Sequence, residues 1–397
     1  ALTLGLTLVA VALLEKAEFG HFIFFLGVSA LFGAFLDLGV SFQMMMEYST
    51  GTTGERAEIV SRSLSAQLWS YGGGIILALA VSIPLGRFFH VPDGIVALGG
   101  LSGALVGLFN FIASMLQVRQ RWTARARIVI QQAVTRTVAT LVGLAFGTAS
   151  TAAAGAVIGV GVGLALAARD PELRGVRPTR RSILGLRDAT QTWASSRWFT
   201  LLVVAASAAE YAPVAFVARV AGAAPLAAFG LAAQLAAGPG LALMSIMTFL
   251  MPSGSDPSVS LRHYATLTKR AVVPALALFG IAGIAAPFLI PTVFGNNFRG
   301  AVAPFELMLV ATAAFVAANP LQILHFRLRD SRSWAVMDLV RVVTLVVGLL
   351  VFSGFFSAPI AAGSAVATSA VVSRLVGLAS LMGKRDRLRA MGAGSQD

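Results

Sequence analysis

Apolar runs of about 20 residues recur along this chain from one end to the other. That is the length a helix needs to cross the hydrocarbon core of a bilayer. Lipid gives a backbone no hydrogen-bond partners, so spans of this kind are helices. The sequence therefore predicts an all-α polytopic membrane protein. Twelve segments are expected, at approximately 1–14, 20–45, 65–89, 94–117, 128–148, 150–168, 194–218, 222–251, 271–293, 302–324, 334–354 and 357–382. Composition agrees: 57% of residues are hydrophobic, 12% are charged, and the mean hydropathy is +0.82. The first segment holds only about 14 apolar residues before Glu15 and lacks a basic start. It reads as the remainder of a truncated first span rather than as a signal peptide.

The formal net charge of +13 sits mostly in the connections. Turns after even-numbered spans carry Arg56 and Arg62; Arg119, Arg121, Arg125 and Arg127; the run from Arg169 to Arg187; Arg262, Lys269 and Arg270; and Arg327, Arg329 and Arg332. Turns after odd-numbered spans carry only Lys16, Arg87, Arg219 and Arg299. A positive-inside bias explains this alternation better than nucleic-acid binding does. It places the even side and both termini in the cytoplasm.

The longest polar insert, Arg169 to Thr192, falls at the middle of the chain. The expected organisation is a six-helix lobe over 1–168, a cytoplasmic linker at 169–193, a second six-helix lobe over 194–382, and a cytoplasmic tail at 383–397. Six spans restore the starting orientation, so the lobes form a parallel repeat. A sequence echo supports this. Leu116-Gln117-Val118 leads through Arg127 and Arg136 to Val142-Gly143-Leu144. Leu321-Gln322-Ile323 leads, at the same spacing, through Arg332 and Arg341 to Val347-Gly348-Leu349.

Glycines at intervals of four, Gly99-Gly103-Gly107 and Gly155-Gly159-Gly163, predict close helix packing. Pro213, Pro320 and Gly238-Pro239-Gly240 predict kinks.

Charges inside the expected spans are the candidate functional residues: Asp37, Arg136, Glu210, Asp338, Arg341 and Arg374. An arginine at bilayer depth costs roughly 2.5–3.5 kcal/mol on the mild insertion scale, so such residues mark pathways or are neutralised. Arg136, Arg341 and Arg374 could line a cavity and grip a diphosphate through forked donors. Equally, Asp37, Glu210 and Asp338 could neutralise them, and Asp338 lies one helical turn from Arg341. A buried Glu210 could instead take up a proton or sodium ion. The four histidines are scattered, cysteine is absent, and no Walker A, Gly-x-Ser-x-Gly or His-Glu-x-x-His stretch occurs. Nothing in the sequence points to catalysis, a metal or a cofactor.

Several stretches resemble the Wzx-type polysaccharide or oligosaccharide flippases of the multidrug/oligosaccharidyl-lipid/polysaccharide (MOP) exporter superfamily. They are Glu18-Phe19-Gly20 with Leu36-Asp37-Leu38-Gly39; Ala228-Phe229-Gly230 through Phe249-Leu250-Met251-Pro252; Phe294 to Ala301; and Leu321-Gln322 through Arg332. The resemblance covers roughly residues 15–382. It implies a MATE-like pair of six-helix lobes and alternating access in a bacterial inner membrane. It also implies an undecaprenyl-diphosphate-linked oligosaccharide substrate that meets membrane lipid, and polymerase and chain-length proteins as partners. A drug/cation antiporter of the same superfamily and a lipid II flippase are the nearest alternatives. An integral-membrane polymerase or glycosyltransferase, and a non-transporting assembly partner, stand further off.

Overall fold

The computed structural model describes residues 2–50, 52–176, 186–238, 261–327 and 331–384. Regular structure among them is helical throughout, in the order the apolar segments predict. The helices are α1 (Leu2–Leu13), α2 (Lys16–Asp37), α3 (Val40–Thr50), α4 (Thr53–Phe89), α5 (Asp93–Val118), α6 (Trp122–Leu144) and α7 (Ala149–Ala168). A short 3-10 turn, Pro171–Val176, follows α7. Next come α8 (Leu186–Ala221), α9 (Ala223–Gly238), α10 (Leu261–Phe294), α11 (Val302–Arg327), α12 (Ser331–Phe352) and α13 (Ala358–Met382). Among the described residues, eight helices are long and apolar enough to cross a membrane. The chain is a polytopic all-α membrane protein. The rest of the expected eighth span, the Gly238-Pro239-Gly240 kink beyond Gly238, residues 177–185 of the linker and the tail past Lys384 lie outside the described residues.

Packing divides the chain into two units, Leu2–Ala227 and Ala228–Asp397. The division falls later than the polar insert, because α8 packs on α2, α3 and α4.

Within the first unit, the expected span over 20–45 is not one helix. Leu38 and Gly39 take the left-handed conformation at φ 46° and 67°, which ends α2 and starts α3. A broken helix in a membrane frees carbonyls that lipid cannot satisfy. Here three successive carbonyls are capped by side chains from other helices. The Leu36 oxygen accepts from Ser70 Oγ, the Asp37 oxygen from Gln67 Nε2 at 3.0 Å, and the Leu38 oxygen from Thr200 Oγ1 at 2.5 Å. Asp37 Oδ1 also accepts from Ser41 Oγ at 2.5 Å and Gln67 Nε2 at 3.0 Å. Gly39 is required twice over: by its φ, and because a Cβ there would strike Phe199.

This network yields a graded expectation. Gln67→Leu removes two bonds, one of them to a carboxylate, and should destabilise the protein by about 3 kcal/mol; Thr200→Val should cost about 1 kcal/mol. Denaturant unfolding in micelles measures both. Equal losses would mean that Asp37 does not depend on Gln67.

Small residues set the helix crossings. A Cβ at Gly103 of α5 would meet the Ser29 carbonyl and the Gly33 nitrogen of α2. A Cβ at Gly159 of α7 would lie 2.6 Å from the Arg136 Cα and the Thr135 carbonyl oxygen of α6. Gly20 of α2 leaves room for the Ala223 backbone, and the neighbouring Glu18 carboxylate accepts from the free Ala149 N–H at the start of α7, at 2.6 Å. In the second unit α13 presents a face of Ala358, Ala362, Ala365, Ser369 and Ser373, all buried, to α11 and α12.

Candidate functional site

The small-residue face of α13 ends beside Arg374. With nothing bulky below it, α13 sits close enough to α11 and α12 to bury this arginine to 8% exposure. Its guanidinium carbon lies 4.4 Å from the ring centroid of Phe315 on α11. The Arg341 guanidinium of α12 lies 5.0 Å from the same centroid. Asp338, one turn earlier on α12, is half-buried and within Coulombic reach of both arginines. The structure thus gathers three of the six sequence candidates into one cluster of the second unit, around a ring that sequence reasoning did not single out.

The electrostatics of this cluster are unbalanced. Among the described residues two guanidinium groups share one aromatic ring and one carboxylate, a formal excess of +1 among these three side chains. Cation–π contact with a desolvated ring is worth about 2 kcal/mol and lowers the cost of burying each arginine. The edges of a guanidinium plane carry forked donors that carboxylates and phosphates fit. The arrangement can bind an anion with more than one acceptor oxygen.

The other candidates occupy the first unit. Arg136 is half-buried on α6, where α7 presses on its backbone and Thr140 Oγ1 donates to its carbonyl at 2.7 Å. Among the described residues its guanidinium has no ion-pair or hydrogen-bond partner. The two arginines of the sequence echo therefore differ: Arg341 has an acid and a ring beside it, and among the described residues Arg136 has neither. Asp37 holds the break between α2 and α3. Glu210 is exposed on α8, next to Tyr211, with which it interacts electrostatically.

Sequence reasoning missed Phe315, because two arginines on different helices meet one ring only if all three helices take particular rotations. It also missed Gln67, although a glutamine between Ser65 and Ser70 in an apolar span is a visible signal. A cavity of about 630 Å³ lies between α10 and α11. Its lining is apolar apart from Glu306 and includes none of the candidate arginines. Among the described residues no group of acids and histidines is arranged to hold a metal ion.

No family model matches this sequence, and no curated protein does. Solved structures do match. An inward-facing multidrug-resistance MATE-family transporter of the MOP superfamily aligns with a TM-score of 0.71 at 16% identity, covering 99% of this chain and 95% of the other. The lipid II flippase MurJ, in an inward closed conformation, aligns with a TM-score of 0.74 at 12% identity, over 99% and 88%. An outward-facing MATE-family transporter of the MOP superfamily gives 0.58 at 15%, over 98% and 92%. At such identities the likeness is one of fold: this chain has the fold of the MOP-superfamily transporters.

Proposed function

We propose that this protein is a flippase for lipid-linked oligosaccharides, carrying undecaprenyl-diphosphate-linked units from the inner to the outer leaflet of a bacterial cell membrane. Its two lobes, 1–168 and 194–382, alternate access to the substrate, and both termini are cytoplasmic. It is a transporter and not an enzyme. It hands its substrate to polymerase and chain-length proteins of surface-polysaccharide assembly.

One observation carries this reading: Arg341 and Arg374 stand on a shared ring, with one acid, Asp338, in Coulombic reach of both among the described residues. A diphosphate offers acceptor oxygens to both guanidinium groups, while the polyprenyl chain stays in lipid. Arg136, with no ion pair among the described residues, supplies a further cation. A cation antiporter needs the opposite sign in its site, so the charge of the cluster disfavours it. A lipid II flippase uses the same diphosphate chemistry and differs in the sugar, which the following test separates.

The full-length protein is reconstituted in proteoliposomes with a polyprenyl-diphosphate oligosaccharide or with lipid II. Sugar reaching the outer leaflet is followed with a membrane-impermeant lectin. Flipping of the oligosaccharide at least tenfold above protein-free vesicles, and faster than that of lipid II, is the expected result. Efflux of a hydrophobic cationic dye with no sugar movement would overturn the proposal.

A further inference from the structure

A second cationic site lies at one end of the first unit, built from different residues. The end of α3, the start of α4, the turn between α5 and α6, and the 3-10 turn after α7 enclose a cavity of about 370 Å³. Tyr48, Arg56, Ala57, Arg119, Arg121 and Glu172 line it. By the distribution of arginines in the turns, this is the end of the helices that faces the cytoplasm.

The backbone fixes where these arginines stand. At the C-terminus of α5 the Gln120 N–H bonds the Gln117 carbonyl and the Arg121 N–H reaches back to the Leu116 carbonyl, both at 2.9 Å. This closing motif requires a left-handed residue, and Gln120 supplies it at φ 58° without being glycine. Arg119 and Arg121 therefore flank a tight turn. The Arg56 guanidinium lies 5.1 Å from the centroid of the Tyr48 ring, which orients it.

The charges do not cancel. Glu172 pairs with Arg121 at 3.4 Å, and both side chains are exposed. Arg119 is half-buried, and among the described residues its side chain has no hydrogen bond or ion pair. Among the described residues that line the cavity, three guanidinium groups stand with one carboxylate, and the space is large enough for a phosphate and its first ester substituent. Trp122, which opens α6, is 56% exposed at the same level, where an indole suits the boundary between headgroups and hydrocarbon. Arginine forks match phosphate oxygens, and basic pockets at helix ends bind phosphate headgroups.

We propose that this cavity binds an anionic phosphate group at the membrane surface, held by Arg56, Arg119 and Arg121. The site shares no residue with the arginines assigned to transport. Its ligand chemistry is shared by the headgroup of an anionic phospholipid and by soluble phosphate, and the test distinguishes them.

The full chain is purified in a neutral detergent and its melting midpoint is followed against dioctanoyl-phosphatidylglycerol, with dioctanoyl-phosphatidylcholine as the zwitterionic control. A ligand that binds only the folded state raises the midpoint saturably. Phosphatidylglycerol should reach half-effect at a concentration at least tenfold lower than phosphatidylcholine. Arg56→Gln/Arg119→Gln should raise that concentration at least tenfold, whereas Arg87→Gln, at the opposite end of α4, should not. Arg119→Gln alone guards against misfolding, because among the described residues this side chain makes no hydrogen bond or ion pair, and it should weaken the response several-fold. If millimolar inorganic phosphate reproduces and competes with the lipid effect, soluble phosphate is a ligand. If it does neither, the lipid headgroup is. Equal responses to the two lipids, or an undiminished response in both variants, would overturn the proposal.

Discussion

Arg341→Gln combined with Arg374→Gln should reduce flipping of a diphosphate-linked oligosaccharide at least about a hundredfold. A hydrogen bond to a charged group is worth about 1.5–3 kcal/mol, so losing one from each arginine removes about 3–6 kcal/mol of substrate interaction. Each 1.4 kcal/mol is a tenfold change. The same double change strands Asp338 in the helix cluster, and breaking a buried charge pair costs about 3–5 kcal/mol of stability. The two effects separate with a third substitution. Adding Asp338→Asn removes the stranded charge and should restore the melting midpoint toward wild type, while flipping stays lost. Recovery of flipping along with stability would reduce the arginines to structural partners. Arg136→Gln, with no acid to strand, should leave the midpoint nearly unchanged and slow flipping about tenfold.

Gly159→Val should be the most damaging single packing change described here. A Cβ at this position lies 2.6 Å from the Arg136 Cα and the Thr135 carbonyl oxygen. Those are backbone atoms, which cannot rotate aside as a side chain can. The only relief is to push α6 and α7 apart along their length. Overpacking costs typically 1–3 kcal/mol and sometimes more, and about 3 kcal/mol is expected here. Against a total stability of roughly 5–15 kcal/mol, that lowers both the melting midpoint and the yield of folded protein. Gly161→Val, two residues on, is the control: a Cβ there meets nothing within 4 Å. A midpoint shift equal in the two variants would show that valine disturbs the helix itself rather than its contact with α6.

The span lengths made the helical fold legible, because bilayer thickness and backbone hydrogen bonding leave little choice. The glycine repeats likewise disclosed contacts, since Gly155, Gly159 and Gly163 all meet α6. Several described residues in the stretches that carry the family resemblance have structural roles. Glu18 caps α7, Gly20 admits the Ala223 backbone, Leu38-Gly39 breaks a helix, and Gly295, at φ 85°, turns the chain after α10. Such residues specify a fold and say nothing about a sugar, which is why the likeness to transporters of different substrates is strong in shape and weak in sequence.

The break at Leu38-Gly39 was not legible. An apolar run reads as one span whether or not its helix is interrupted, and the signal lay in Ser70, Gln67 and Thr200 on other helices. Charged residues could be found from sequence but not sorted. Asp338, Arg341 and Arg374 meet because of how α12 and α13 are rotated, and hydropathy does not report rotation.

The most direct test of the diphosphate site is binding. Isothermal titration calorimetry of the purified full-length protein compares a short polyprenyl diphosphate with the matching monophosphate, in wild type and in the Arg341→Gln/Arg374→Gln variant. A site built on two forked donors should prefer the diphosphate by at least about tenfold, and the preference should vanish in the variant. Equal affinity for the two lipids, or a preference that survives loss of both arginines, would contradict it.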